Sequence, residues 1–273
     1  MGLRMRFENR DYPLSGLLGM CSHFWKVLLA LPILLVQTAC SSESAPDCFQ
    51  RAGEIERQEI ALPDFSKITV FENVSLVLQQ GDVQKVEIET GENLRNEVTA
   101  TVEGDRLLLR DTNDCNFVRS YGTTIIYVTS PAINEIRSST GRRISSEGVL
   151  AYPNLTLFSE SFLNPESETT DGLFDLAVDT ENLTVIVNGI TYFKLRGNTE
   201  NLNLTIAAGD SRIEAENLSA ESVTLNHRGS NDMFVNPQEA INGVIRGTGD
   251  VISSNRPDLV EVEELYKGKL VFK

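Results

Sequence analysis

Few side chains in this 273-residue sequence are of a type and spacing that could do chemistry. It has two histidines, and His23 falls in a leader-like N-terminal stretch, so a mature chain would keep only His227 and have no room for a pair of imidazoles on one metal. His227 follows Val223 and Leu225 at strand parity and reads as a strand-end residue, not a catalyst. Paired carboxylates can cleave a glycosidic bond without histidine, and the pair Glu160 and Asp171 leaves that chemistry open. Arg196, Arg212, Arg228 and Arg246 invite comparison with a basic ladder for a uronate-type sugar. Measured from glycines 189, 209, 229 and 249 they fall at +7, +3, −1 and −3, a drift that argues against stacking. Asp210 and Asp250 do hold phase behind Gly209 and Gly249 and would offer calcium oxygens. Asn188 and Ser230 break that pattern, so a turn-forming role is the reading we adopt. No catalytic residue, cofactor or metal is expected.

The cysteines carry more information. Residues 27–36 read VLLALPILLV, an apolar run too short to span a bilayer as a helix but suited to the core of a signal peptide. Gln37-Thr38-Ala39-Cys40 follows and resembles the lipobox of bacterial lipoproteins, with Gln37 where an aliphatic residue is usual. The resemblance implies cleavage after residue 39 and lipid on Cys40, with Met20 as an alternative start. The null alternative is a secreted chain with Cys40 free. Acyl chains on Cys40 would anchor the protein to a membrane without a spanning helix. Ser41 behind the cysteine resembles lipoproteins sent to the outer membrane. The acidic residues that follow resemble a surface-export tag of the Bacteroidota. Cys21 leaves with the leader, so Cys48 and Cys115 remain in a compartment where disulfides persist. A bridge between them would close a loop of more than sixty residues, worth about 4 kcal/mol; two buried free thiols are the alternative.

The net charge is −15, and removing a leader with Arg4, Arg6, Arg10 and Lys26 against Glu8 and Asp11 leaves −17. Such acidity excludes nucleic acid as a partner bound through a general basic surface.

These residues need elements to position them, and every element signal is β. Alternation predicts strands over 67–71, 74–79, 85–90, 98–102, 106–110 and 124–129, with turns at Gly81-Asp82, Gly91-Glu92-Asn93, Gly104-Asp105 and Asn113-Asp114. No stretch sustains an amphipathic helix; 93–98 is one short turn. Further on, the glycines at 189, 209, 229 and 249 recur every 20 residues. Alternating apolar runs precede them: Leu183/Val185/Val187, Leu202/Leu204/Ile206, Val223/Leu225 and Ile241/Ile245. Strand and turn at a near-constant period is the pattern of a stacked solenoid. Ala207-Ala208 add one residue to the second unit, which a bulge would absorb. The polar stretch 160–171 interrupts the rhythm and reads as an insertion, with Phe162 and Leu163 as a candidate contact loop or as side chains that tuck it down. Residues 259–272 are expected to close the end of the stack.

The order Phe65-Ser66-Lys67-Ile68-Thr69-Val70, Val74 to Gly81, Val86-Glu87-Ile88-Glu89 and Gly104 to Leu109, with Gly247-Thr248-Gly249-Asp250-Val251 and Arg256-Pro257-Asp258 at the end, is similar to the head GIN domain family. These are auto-transporter adhesin-like lipoproteins of Bacteroidota. The resemblance spans 64–273 and implies an all-β, right-handed parallel β-helix or β-solenoid with short strands, the N-terminal β region continuous with it. It transfers no catalytic residue. The expected organisation is therefore a signal peptide over 1–39, a lipidated cysteine and polar tether over 40–63, and the β domain over 64–273. The expected function is a lipid-anchored outer-membrane protein, adhesin-like, that binds a glycan or a surface protein. The alternatives are a polysaccharide lyase or hydrolase, and a structural envelope protein.

Overall fold

The computed structural model describes residues 49–113, 115, 117, 120, 122–162 and 166–273; Cys40, Cys48 and Leu163 lie outside them. The described chain is all-β, with one 3-10 turn at Arg95–Glu97 inside the stretch that reads as a single short turn. Its first strands are β1 (Ile55–Ile60), β2 (Lys67–Val70), β3 (Val74–Gln80), β4 (Lys85–Gly91), β5 (Val98–Glu103), β6 (Arg106–Asp111) and β7 (Thr124–Ser130). All but β1 follow the alternation closely, because side chains one face apart are buried in turn: Val74, Leu76 and Leu78 in β3, Ile126 and Val128 in β7.

β1 corrects the expectation of a polar tether over 40–63. It pairs antiparallel with β4 from Ile55 opposite Gly91 to Ile60 opposite Val86. Its side chains are exposed, so it has no apolar face for periodicity to reveal. What holds it is backbone pairing, an Arg57–Glu87 ion pair at 2.8 Å and the Arg57 guanidinium 3.5 Å from the Tyr127 ring centroid.

The remaining strands are β8 (Glu135–Ser138), β9 (Arg143–Leu150), β10 (Asn154–Ser159), β11 (Leu173–Gly189), β12 (Tyr192–Gly209), β13 (Arg212–His227), β14 (Met233–Val235), β15 (Pro237–Ile245), β16 (Val251–Ser253), β17 (Leu259–Glu264) and β18 (Leu270–Phe272). They form two parallel ladders. One runs β6, β2, β8, β10, then the second halves of β11, β12 and β13, then β15 and β17. The other runs β7, β3, β9, then the first halves of β11, β12 and β13, then β14, β16 and β18. The long bent strands belong to both, so the ladders make one curled sheet. Antiparallel β5 borders the first ladder and antiparallel β4 with β1 borders the second.

Register explains the core. Leu183 stacks on Leu202, Val223, Ile241 and Val260, steps of 19, 21, 18 and 19 residues. On the other ladder Ile126, Leu76, Ile144, Phe174, Phe193, Ile213, Met233 and Val251 form one column. The Phe174 and Phe193 rings lie parallel with centroids 4.8 Å apart, the spacing of neighbouring strands. Inward residues of both ladders form a single buried cluster. The glycine interval is real at the turns: Asp210 N–H donates to Gly189 O (2.7 Å), Ser230 N–H to Gly209 O (2.9 Å) and Gly249 N–H to Gly229 O (3.2 Å). The bulge falls where the extra alanine sits, since Val187 faces Ile206 while Asn188 faces Ala208. One alignment needs correction. Val185, Leu204 and Leu225 share a column, but it continues to Gly243; Ile245 is buried one inward position further on, against His227. The 18-residue step between these rungs, shorter than the glycine interval, causes the offset.

Residues 259–272 supply the last rung. Among the described residues nothing pairs with the outer edge of β17 or β18, and Leu259, Val260 and Val271 are exposed. Glu261, Glu263 and Glu264 on β17 put charge on that edge and oppose its pairing with another chain.

Candidate functional site

The same short step assembles the most distinctive surface of the molecule. β13 and β15 end in register, His227 beside Ile245. The next residue of each rung therefore leaves the sheet at the same level. Arg228 N–H donates to Ile206 O (2.9 Å), Arg246 N–H to His227 O (2.7 Å) and Leu265 N–H to Ile245 O (2.9 Å). Arg228 and Arg246 thus occupy adjacent rungs, about 4.8 Å apart along the stack, with Leu265 on the rung after. Counting from glycines hid this pair; counting from the last inward residue of each strand would have found it. The ladder of four does not form: Arg196 pairs with Asp175 (2.5 Å) and Arg212 with Glu214 (2.8 Å).

Asn226, Arg228, Arg246, Leu265 and Tyr266 line an open groove of about 630 Å3. Leu265 and Tyr266 are 56% and 55% exposed. Arg57, Arg106, Arg137, Arg143, Arg196 and Arg212 each contact a carboxylate. Arg228 and Arg246 have no ion-pair partner among the described residues. The nearby Glu264 carboxylate is held instead by the Lys269 ammonium (2.9 Å) and the Leu270 N–H (2.9 Å).

Directly inside the groove wall is His227. It ends β13 as its parity implies, but it is wholly buried, stacked between Ile206 and Ile245. Nδ1 accepts from the Gly229 N–H (3.4 Å), and Nε2 meets no geometrically sound hydrogen-bond partner among the described residues. Burial pushes its pKa below the usual histidine value, so the ring is neutral at ordinary pH. It is shielded from solvent and serves packing.

The other candidates separate. Glu160 is 3% exposed and bound to Arg137 at 2.7 Å, with Arg137 also 4.5 Å from the Phe158 ring centroid. Asp171 accepts a short hydrogen bond from the Thr169 hydroxyl. Each carboxylate thus has its own structural partner. Asp210 accepts from Ser230 Oγ (2.7 Å) and Asp250 from the Lys269 N–H (2.8 Å), both turn-holding bonds as expected. A second groove, of about 490 Å3, runs along the bend of β11, β12 and β13 and includes Asp179, Glu181, Glu200 and Glu221. No group of three or more metal-ligating side chains occurs among the described residues. In the 160–171 segment Phe162 is 75% exposed, while Leu163 is outside the described residues. The far end of that segment is tied down, Glu168 N–H donating to Ser139 Oγ at 2.8 Å.

Two features escaped the pattern of apolar residues. Asn201 Nδ2 donates to Asn182 Oδ1 (3.1 Å) and Asn182 Nδ2 to Asn154 Oδ1 (2.9 Å), a ladder on the outside of the stack. Its signal was available as Asn-Leu at 154, 182 and 201, opening β10 and the second halves of β11 and β12. The second is a carboxyl pair. Glu72 is pushed up to about 7 by partial burial and by the neighbouring Glu168 carboxyl. These residues lie 96 positions apart, with no shared motif to mark them.

Comparison with known proteins agrees with this architecture. A family model described as "Putative auto-transporter adhesin, head GIN domain" matches residues 64–257. A protein named "putative adhesin" from Bacteroides fragilis superposes with a TM-score of 0.70 at 20% identity, covering 82% of this chain and 99% of that one. A "putative lipid binding protein" from Parabacteroides distasonis gives 0.57 at 16% identity, covering 80% and 97%. A "putative adhesin" from Parabacteroides merdae gives 0.56 at 17%, covering 81% and 97%. At such identities the likeness is one of fold. No curated protein matches. The family match covers most of the sequence, with strands and turns where the resemblance requires them: the chain belongs to the head GIN domain family.

Proposed function

We propose that this protein is an adhesin-like, ligand-binding module of the bacterial cell envelope that acts without catalysis. We read the parallel ladders as a right-handed β-solenoid whose outer columns are the binding surface. One observation carries the reading: a groove spanning consecutive rungs gathers two guanidiniums, an amide and an aromatic ring that the fold does not use for itself. Glu160 and Asp171 each have a separate structural partner, so that pair does not serve the polysaccharide-cleaving alternative. Neither does any observation favour a purely structural envelope role.

The anchor belongs to the same proposal. A leader over 1–39, lipid on Cys40 and a link to the β domain would place the module on the outer membrane. A Cys48–Cys115 bridge would brace the start of the domain. It is supported by the Phe49 and Phe117 rings, 5.7 Å apart, which bring the flanks of the two cysteines together. Gln50 Nε2 donates to Asn93 O (2.8 Å) in the same region. Phe162 and Leu163 are retained as a second contact point on the insertion.

The test is a glycan and surface-protein array probed with the folded domain, each positive then assayed for product. Saturable binding with the ligand recovered intact is the expected result. Reducing ends or unsaturated uronates released from a bound polysaccharide would contradict it.

A further inference from the structure

We propose that the groove at Arg228 and Arg246 takes an acidic saccharide, one carboxylate or sulfate held between the guanidiniums and a sugar ring laid on Tyr266. This rests on the ligand-binding reading above and adds the class of ligand and the residues that hold it.

The argument begins with charge. In a chain of net charge −15, six of the described arginines meet a carboxylate; Arg51, Arg95, Arg110 and Arg256 do not, but three of these rest on a carbonyl or a ring, whereas Arg228 and Arg246 share one groove. Arg228 and Arg246 leave the sheet one rung apart, and neither forms an ion pair among the described residues. Two guanidiniums side by side without a carboxylate partner fit an anion bound between them. Guanidinium is a planar fork matched to carboxylate and sulfate oxygens, and two arginines rising from adjacent rungs into one groove can share one such group or hold two on successive sugars.

The neighbours narrow the class further. A site for a bare inorganic ion would be small and enclosed, whereas this groove is open and about 630 Å3. Leu265 and Tyr266 present apolar surface beside the charges, and the aromatic ring suits the C–H face of a pyranose. The Asn226 amide can donate to and accept from hydroxyls. The Lys267 ammonium lies 5.8 Å from the Tyr266 ring centroid and adds a third positive charge at that rim. An anionic end, a ring platform and a hydroxyl partner in one groove describe a uronate or a sulfated sugar more closely than a phosphate or an acidic peptide.

The experiment is calorimetric titration of the folded chain with oligogalacturonate, with a neutral malto-oligosaccharide of equal length, and with inorganic phosphate. Oligogalacturonate should bind, weaken as salt is raised, and exceed both others at least tenfold. Joint Arg228→Gln and Arg246→Gln substitution should lower its affinity tenfold or more. Arg196→Gln, which alters an arginine outside the groove, should leave it unchanged. Tyr266→Ala should weaken oligogalacturonate severalfold and leave phosphate alone. Phosphate binding as tightly as oligogalacturonate, with Tyr266→Ala silent, would overturn the saccharide assignment. So would undiminished oligogalacturonate binding by the double variant with an unchanged melting temperature, or no binding at all. The array result separates the two proposals: if the double variant still binds its array ligands, this site is wrong and the ligand-binding reading stands. If the native domain binds nothing on the array, both fall.

Discussion

A buried histidine and a half-buried glutamate should make stability respond to pH in opposite senses. The His227 ring is held neutral by burial, with a pKa below that of the unfolded chain. The unfolded state therefore binds more protons below about pH 6.5, and stability falls as pH drops through that value towards the folded pKa. The limiting slope is about 1.4 kcal/mol per pH unit. His227→Leu, which also removes the unpaired Nε2, should flatten this dependence in urea titrations between pH 7.5 and 5. An unchanged slope would mean the ring is not shielded. Glu72 behaves in the reverse way. Its folded pKa of about 7 lies above the usual carboxylate value, so the native state binds the extra proton. Its penalty is absent at low pH and grows as pH rises to 7. Glu72→Gln should stabilise the protein at pH 8 and become neutral near pH 4; equal effects at both would break the proposed coupling to Glu168. Neither group could be read from the sequence in this role. His227 was legible as a strand end, but burial depends on the rungs above and below. The Glu72–Glu168 contact depends on an insertion folding back across the chain.

At the scale of elements, the turns decide whether rungs can stack. A Cβ on Gly209 would lie 2.2 Å from Gly189 O, and Gly209 has φ +93°. Gly209→Ala must push two rungs apart and should cost more than about 2 kcal/mol in chemical denaturation. Gly148 also has a positive φ, +78°, but meets nothing within 4 Å. Gly148→Ala should cost only about 1 kcal/mol, the backbone term alone. Equal losses would mean that carbonyl contact between rungs contributes nothing. The elements were the most legible level of this fold. The glycine interval located the turns and an extra alanine located a bulge, because both reflect steric demands repeated locally in the chain. β1 was illegible for a definite reason: an edge strand held by backbone bonds and Arg57 buries no face. The Arg228–Arg246 pair was obscured because rung length varies from 17 to 21 residues, and only pairing shows where the variation is absorbed.

At the scale of the molecule, the account depends on order along the stack. Belonging to the head GIN family and resembling solved structures fix the kind of fold; the register brings Arg228 to Arg246 and builds the groove. Because each ladder adds one strand at a time in parallel, distance along the stack should increase by one strand spacing per rung. The outward column Thr156, Thr184, Asn203, Thr224, Asn242, Glu261 provides a ruler, each member paired with the next. Spin labels would be placed at Glu261 and, in separate variants, at Asn203, Thr184 or Thr156. Backbone separations should be about 14, 19 and 24 Å, rising by about 4.8 Å per step. Dipolar spectroscopy that returns three distances in that order and spacing would support the account; distances that coincide, reverse or spread without a common step would contradict it.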